Sequence, residues 1–115
     1  MKFTTSLTPN REFRKSYAKA ERRFGTYLAV YARNGRSGVN RLGLTVTPKV
    51  GCAVVRNRVR RRLREAYRLN EDRLIRGKVL VVVARPESAK ATFRELQTDL
   101  LHIFRRMHLL VENEK

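Results

Sequence analysis

Apolar positions recur along this chain with two periods, and the change from one to the other marks out its elements. From Thr26 to Arg33, Leu28 and Val30 fall on one side and Tyr27, Ala29 and Tyr31 on the other, a period of two that predicts a strand. The turn cluster Asn34-Gly35-Arg36-Ser37-Gly38 follows, and from Arg41 to Thr47 the residues Leu42, Leu44 and Val46 share a face. These two segments are expected to pair as an antiparallel hairpin. Pro48 and Gly51 break the second strand ahead of a helix expected over Ala53 to about Asn70. The stretch KVLVVVA, Lys78 to Ala84, is apolar without alternation, as a strand covered on both sides is, and Arg85-Pro86 ends it.

Both ends of the chain read as helices. Thr8 as N-cap and Pro9 at the first helical position open one that runs to Ala18 and sets Phe13 and Tyr17 four apart among Arg14, Lys15 and Lys19. Near the other end Thr92 and Glu95 form a capping-box pattern, in which each side chain satisfies an otherwise orphaned amide of the other. The helix it opens runs to about Leu109, with Phe93, Leu96, Leu100, Ile103, Phe104 and Met107 as an apolar stripe at spacings of three and four, read as core. The order helix, strand, strand, helix, strand, helix gives an α+β sandwich with helices packed on a small sheet.

A length of 115 residues with 42% hydrophobic positions suits one domain, 1–115, with a core that needs no staples. Cys52 stands alone, which excludes an internal disulfide, and is expected as small core filler. No apolar run reaches the length of a membrane span or a signal peptide, so the cytoplasm is the expected location. The charge changes this picture: 27 Lys and Arg against 10 Asp and Glu give +17, and a folded surface of that charge calls for a polyanion.

The charge concentrates in AVVRNRVRRRLREAYR, Ala53 to Arg68. On a helical wheel Val55, Val59, Leu63, Ala66 and Tyr67 fill one arc of about 120°. The rest is arginine. Arg56, Arg60 and Arg64 border the apolar stripe on one side, Arg58 and Arg62 on the other, and Arg61, Arg68 and Asn57 lie opposite. A solvated face would carry interleaved acids, and only Arg61 with Glu65 has the i, i+4 spacing. Guanidinium forks grip phosphates with two hydrogen bonds and stack on bases. With Asn57 as the single amide base reader among them, the pattern suits backbone and shape recognition of folded RNA over major-groove readout of DNA. Phe13, Tyr17 and Tyr31, set among basic residues, add the stacking platforms used for single strands.

Lys49 through Arg68, with Val50-Gly51, Ala53, Arg56-Asn57-Arg58, Arg61 and Arg64-Glu65, closely resembles the protein subunit of bacterial ribonuclease P. The likeness extends to the aromatic pair spaced by four, to Arg41-Leu42-Gly43, to the valine-rich strand ending in Ala84-Arg85-Pro86 and to the final amphipathic helix. It implies a domain like one in a small-subunit ribosomal protein, with one further short strand and a left-handed crossover through the basic helix, an exception to the usual hand. It also implies a partner, ribonuclease P RNA, contacted by Arg56, Asn57, Arg58, Arg61, Arg62 and Arg68. A second implied partner is precursor tRNA, whose 5′ leader would be held by Phe13, Tyr17, Tyr31, Arg60 and Arg64. The RNA would perform the Mg²⁺-dependent hydrolysis and hold most of the Mg²⁺, with one protein per RNA and a homodimer left open.

The residues offer no nuclease centre of their own. Glu71 and Asp72 are expected to point apart at an exposed helix end, and His102 and His108, six apart, do not share a helix face. No residue is assigned to a metal. The alternative to the ribonucleoprotein enzyme subunit is a non-catalytic structural RNA-binding protein such as a ribosomal component; anionic membrane binding would need apolar residues that the core already claims.

Overall fold

The computed structural model describes residues 2–6 and 20–111. Five strands form one sheet: β1 (Thr4–Ser6), β2 (Glu21–Phe24), β3 (Leu28–Asn34), β4 (Asn40–Thr45) and β5 (Lys78–Ala84). Two helices, α1 (Ala53–Asn70) and α2 (Phe93–Arg106), complete an α+β fold. The expected first helix, with Phe13 and Tyr17, lies outside the described residues.

The sheet order is β1-β4-β5-β3-β2. The expected hairpin is therefore corrected: β3 and β4 run in opposite directions, but β5 lies between them, antiparallel to β3 and parallel to β4. The cause is the apolar character of KVLVVVA on both faces, which is satisfied only at the centre of a sheet. The 35–39 turn passes over the start of β5, and the Gly35 amide donates to the Gly77 carbonyl at 2.8 Å. Gly77 adopts φ +91°, a conformation that disfavours any side chain. Two strands appear that periodicity did not reveal, β1 and β2, one at each edge; the family likeness implied one of them.

Both helices cover the same sheet face. Leu28, Val30, Ala32, Leu42, Leu80 and Val82 meet Val59, Leu63, Ala66 and Tyr67 of α1 and Leu96, Leu100, Ile103 and Phe104 of α2 in the main core. The Tyr67 and Phe104 rings meet edge to face at 6.5 Å, an arrangement worth about 0.5–1.5 kcal/mol beyond the area buried. The Thr92–Glu95 capping box closes at 2.9 and 3.1 Å, and α2 stops at Arg106, where Met107 leaves helical geometry and His108 takes φ +59°. Asp99 of α2 accepts the amides of Thr26, Tyr27 and Leu28, locking the β2–β3 turn. A Cβ at Gly25 would lie 2.5 Å from that carboxylate, so the turn tolerates only glycine.

Two local expectations are overturned. Cys52 is exposed, not core: it is the N-cap residue of α1, in extended conformation. The amides of Val55 and Val54 hold its thiol below the usual range. Glu71 is buried at 2% exposure while Asp72 is exposed, because the Glu71 carboxylate accepts the amides of Lys2 and Phe3, which lead into β1. No helix among the described residues is long and apolar enough to cross a membrane.

Candidate nucleic-acid interface

Two basic surfaces lie on opposite sides of the sheet. The first is the outer side of α1, whose bounds agree with the sequence expectation because its 3.6-residue period is unbroken over 18 residues. Its apolar stripe is buried as expected, with Val55 at the margin. The arginines divide into two groups. Arg58 Nη2 donates to the Ala89 carbonyl at 3.1 Å and Arg62 Nη1 to that of Ala91 at 2.6 Å, so both tie α1 to the turn that leads into α2. Arg56 Nε donates to the Gly51 carbonyl at 3.1 Å at the start of the helix.

The outward row is looser. Glu65 does not pair with Arg61, as the i, i+4 spacing suggested. Arg68 reaches back one turn and takes both of its oxygens, Nε at 3.0 Å and Nη2 at 2.6 Å, since a bidentate fork outcompetes a single contact. The hydrogen bond from Arg68 holds the Glu65 carboxyl below its usual range and raises Arg68 in turn, although solvent reaches both groups. Arg60 donates to the Asn57 side-chain oxygen at 3.0 Å. Among the described residues Arg61 and Arg64 are exposed and have no hydrogen-bond or ion-pair partner. The helix thus presents two open guanidiniums, Arg61 and Arg64, flanked by five that each make a hydrogen bond within the protein.

The second surface is the sheet face turned away from the helices. Partners in register share a face, so the ladder writes rows across the strands. One row holds Phe24, Ala29, Val83 and Thr45, the next Arg22, Tyr31, Val81 and Gly43, and the next Arg33, Val79 and Arg41. Tyr31 packs with Val79, Val81 and Val83 in a small cluster separate from the main core. Phe24 is 53% exposed. A groove of about 570 Å³ runs over Phe24, Ala29, Tyr31 and Val83 to Thr47, Pro48 and Lys49 on one side and Arg85 and Pro86 on the other. It ends at the turn that leads into α1.

Of the candidates from sequence, the structure gathers Arg56, Asn57, Arg58, Arg60, Arg61, Arg62, Arg64 and Arg68 on one helix and sets Tyr31 on the opposite face of the sheet. Arg60 and Arg64 lie on α1, which covers the other face of the sheet. Phe13 and Tyr17 lie outside those residues. The sequence pattern did not reveal Arg22, Phe24, Arg33 and Arg41 as neighbours of Tyr31. Their alternation with Tyr31 was visible in part, but only the register of β2 and β5 brings them into adjoining rows. Several described acids are committed to partners within the fold, Asp99 to three amides, Glu65 to Arg68 and Glu71 to the amides of Lys2 and Phe3, while Glu87 lies 3.9 Å from Arg85 at the groove. No three His, Cys, Asp or Glu side chains cluster among the described residues.

An α+β protein with an arginine-coated helix on one side of its sheet and a basic, ring-lined groove on the other is a nucleic-acid-binding protein. The Ribonuclease P family profile matches residues 1–108. The chain is 38% identical over 110 residues to the ribonuclease P protein component of Alkaliphilus metalliredigens, covering 96% of this chain and 99% of that one. It is 37% identical over 109 residues to that of Clostridioides difficile, covering 94% and 96%. Among solved structures, the RNase P protein of Staphylococcus aureus superposes with a TM-score of 0.82 at 25% identity, over 92% of this chain and 97% of that one. That of Thermotoga maritima gives 0.81 at 26%, over 94% and 98%. The chain belongs to the bacterial ribonuclease P protein family. Its role is that of the protein subunit of this tRNA-processing endoribonuclease, in partnership with ribonuclease P RNA, which sets aside the ribosomal alternative.

Proposed function

We propose that the two surfaces divide the work: α1 takes up ribonuclease P RNA, and the groove across the sheet holds the 5′ leader of precursor tRNA. On α1 the contacts are Arg56, Asn57, Arg58, Arg61, Arg62 and Arg68, with Arg61 the most available of the six. Tyr31 stacks on leader bases, joined by Phe13 and Tyr17, while Arg60 and Arg64 serve the leader from the helix side. The observation that carries this reading is the sheet register, which alternates rings and guanidiniums, Phe24 and Tyr31 with Arg22, Arg33 and Arg41, on one face. Rings stack on any base and guanidiniums follow the phosphates, as a variable single strand requires. The helix carries charge without exposed rings, which suits the fixed phosphates of a folded RNA.

The RNA subunit supplies the hydrolytic chemistry and, with the substrate, holds the Mg²⁺; one protein serves one RNA. The test is reconstitution of the holoenzyme and comparison of its affinity for leader-bearing precursor with that for mature tRNA at limiting Mg²⁺. Tyr31→Ala is expected to lower that ratio and leave affinity for the RNA subunit unchanged. An unchanged ratio, with the RNA affinity reduced instead, overturns the assignment.

A further inference from the structure

We infer that Glu71, together with Tyr67, is a positioning residue for the leader-binding side of the protein, acting by gripping the chain at the entry to β1. The inference rests on the reading that Phe13 and Tyr17 contact the leader. β1 has three residues and pairs only with β4, in parallel, at the sheet edge. So short a parallel pairing holds weakly on its own. Residues 7–19 follow directly and join β1 to β2 at the opposite edge, so the docking of β1 fixes where the aromatic segment begins.

The grip comes from the end of α1. Glu71 Oε1 accepts the Lys2 amide at 2.7 Å and Oε2 accepts the Phe3 amide at 3.0 Å. The Tyr67 hydroxyl lies 2.8 Å from Thr4 Oγ1 in a buried contact. The Asn40 amide donates to the Phe3 carbonyl at 2.9 Å, and the Arg76 guanidinium sits 4.2 Å over the Phe3 ring. In a chain of +17, a carboxylate at 2% exposure that forms no ion pair with a side chain among the described residues is unusual. Burial of such a group is costly unless hydrogen bonds replace its water, and here both oxygens accept amides of the two residues that lead into β1. The same helix therefore offers the RNA subunit its outer side and holds the start of the leader-binding segment at its C-terminal end.

Glu71→Gln keeps the shape but turns a donor toward one of the two amides. In the reconstituted holoenzyme it is expected to lower the precursor-to-mature affinity ratio about tenfold, the equivalent of one lost hydrogen bond to a charged group. Affinity for the RNA subunit and kcat at saturating precursor stay within about twofold on the same scale. Thr4→Val, which removes the hydroxyl that faces Tyr67 and Glu71 and leaves both of those residues in place, is expected to shift the ratio in the same direction and decides the matter if Glu71→Gln fails to fold. Phe13→Ala separates the two layers of the argument. If it lowers the ratio while Glu71→Gln and Thr4→Val do not, the anchor is wrong and the leader reading stands. If Phe13→Ala leaves the ratio unchanged, the leader reading fails and the anchor with it. A fall in RNA-subunit affinity that matches the fall in the ratio also overturns the inference, since Glu71 would then only support α1.

Discussion

The arginines of α1 and those of the sheet face are similar in charge and different in company. On α1 the one ring, Tyr67, turns inward and only Val54 and Leu69, near the helix ends, are exposed apolar residues, so the outer side offers cations without rings, and several of these are already tied to carbonyls of their own fold. On the sheet, Arg22 shares a row with Tyr31, Phe24 lies in the row on one side of it and Arg33 and Arg41 in the row on the other, and valines form the floor beneath. A surface of fixed cations suits a partner whose phosphates are already arranged. A surface of cations and rings suits a strand with no structure of its own. Net charge cannot separate the two; the presence of rings among the cations can.

The strongest way to break this contrast is on the helix. Arg61→Ala with Arg68→Ala removes two outward guanidiniums assigned to the RNA subunit and is expected to weaken RNA-subunit affinity about 100-fold with little change in the melting temperature, since the Arg68–Glu65 pair is exposed. Arg58→Ala with Arg62→Ala should also weaken assembly, and in addition destabilise the free protein by about 2–4 kcal/mol, because the carbonyls of Ala89 and Ala91 lose charged donors. Binding titrations and thermal melts of the two pairs check this. Equal melting temperatures for both would show that the carbonyl contacts carry no load.

On the sheet the expected effect is smaller. Tyr31→Ala should lower the precursor-to-mature affinity ratio roughly tenfold, since one stacked base is worth about 1–3 kcal/mol. Arg33→Ala should shift the salt dependence of leader binding by about 0.7 in slope, the single-strand value for one phosphate, and one α1 arginine should shift that of RNA-subunit binding by about 0.9. Titrations of affinity against salt read both.

Glu71 sharpens the comparison through pH. Burial alone would raise its carboxyl, but hydrogen bonds from the Thr4 hydroxyl and the amides of Lys2 and Phe3 outweigh that and hold it below its ordinary value of 4.5. A depressed carboxyl contributes stability that is complete above the unfolded value and lost as pH falls through the folded one. The stability gap between the wild type and Glu71→Gln should therefore be constant near neutrality and close below about pH 4.5. Denaturant melts across that range measure it, and a gap independent of pH would contradict the assigned bonds.

Much of this architecture is legible in the order of the amino acids. The bounds of α1 and β5, the capping box of α2 and both apolar stripes follow from unbroken periodicity and local capping chemistry. The hairpin failed because direction and adjacency are separate properties: β3 and β4 are antiparallel, yet only the two-sided apolar β5 decides who lies between them. β1 and β2 carry TTS and ERRF, sequences without an apolar face, as edge strands tolerate. Missing β2 hid Arg22 and Phe24 from the groove. Glu71 and Cys52 were misplaced for a related reason, since the burial of one acid and the exposure of one thiol depend on a strand and a helix start that side-chain pattern alone does not locate.

The division of labour is tested most directly by photocrosslinking in the assembled enzyme with end-labelled precursor tRNA. A photoreactive phenylalanine replacing Phe24 is predicted to capture the 5′ leader, and a photoreactive group in place of Arg61 is predicted to capture the RNA subunit. Capture of the RNA subunit from position 24, with no adduct to the leader, would contradict the account.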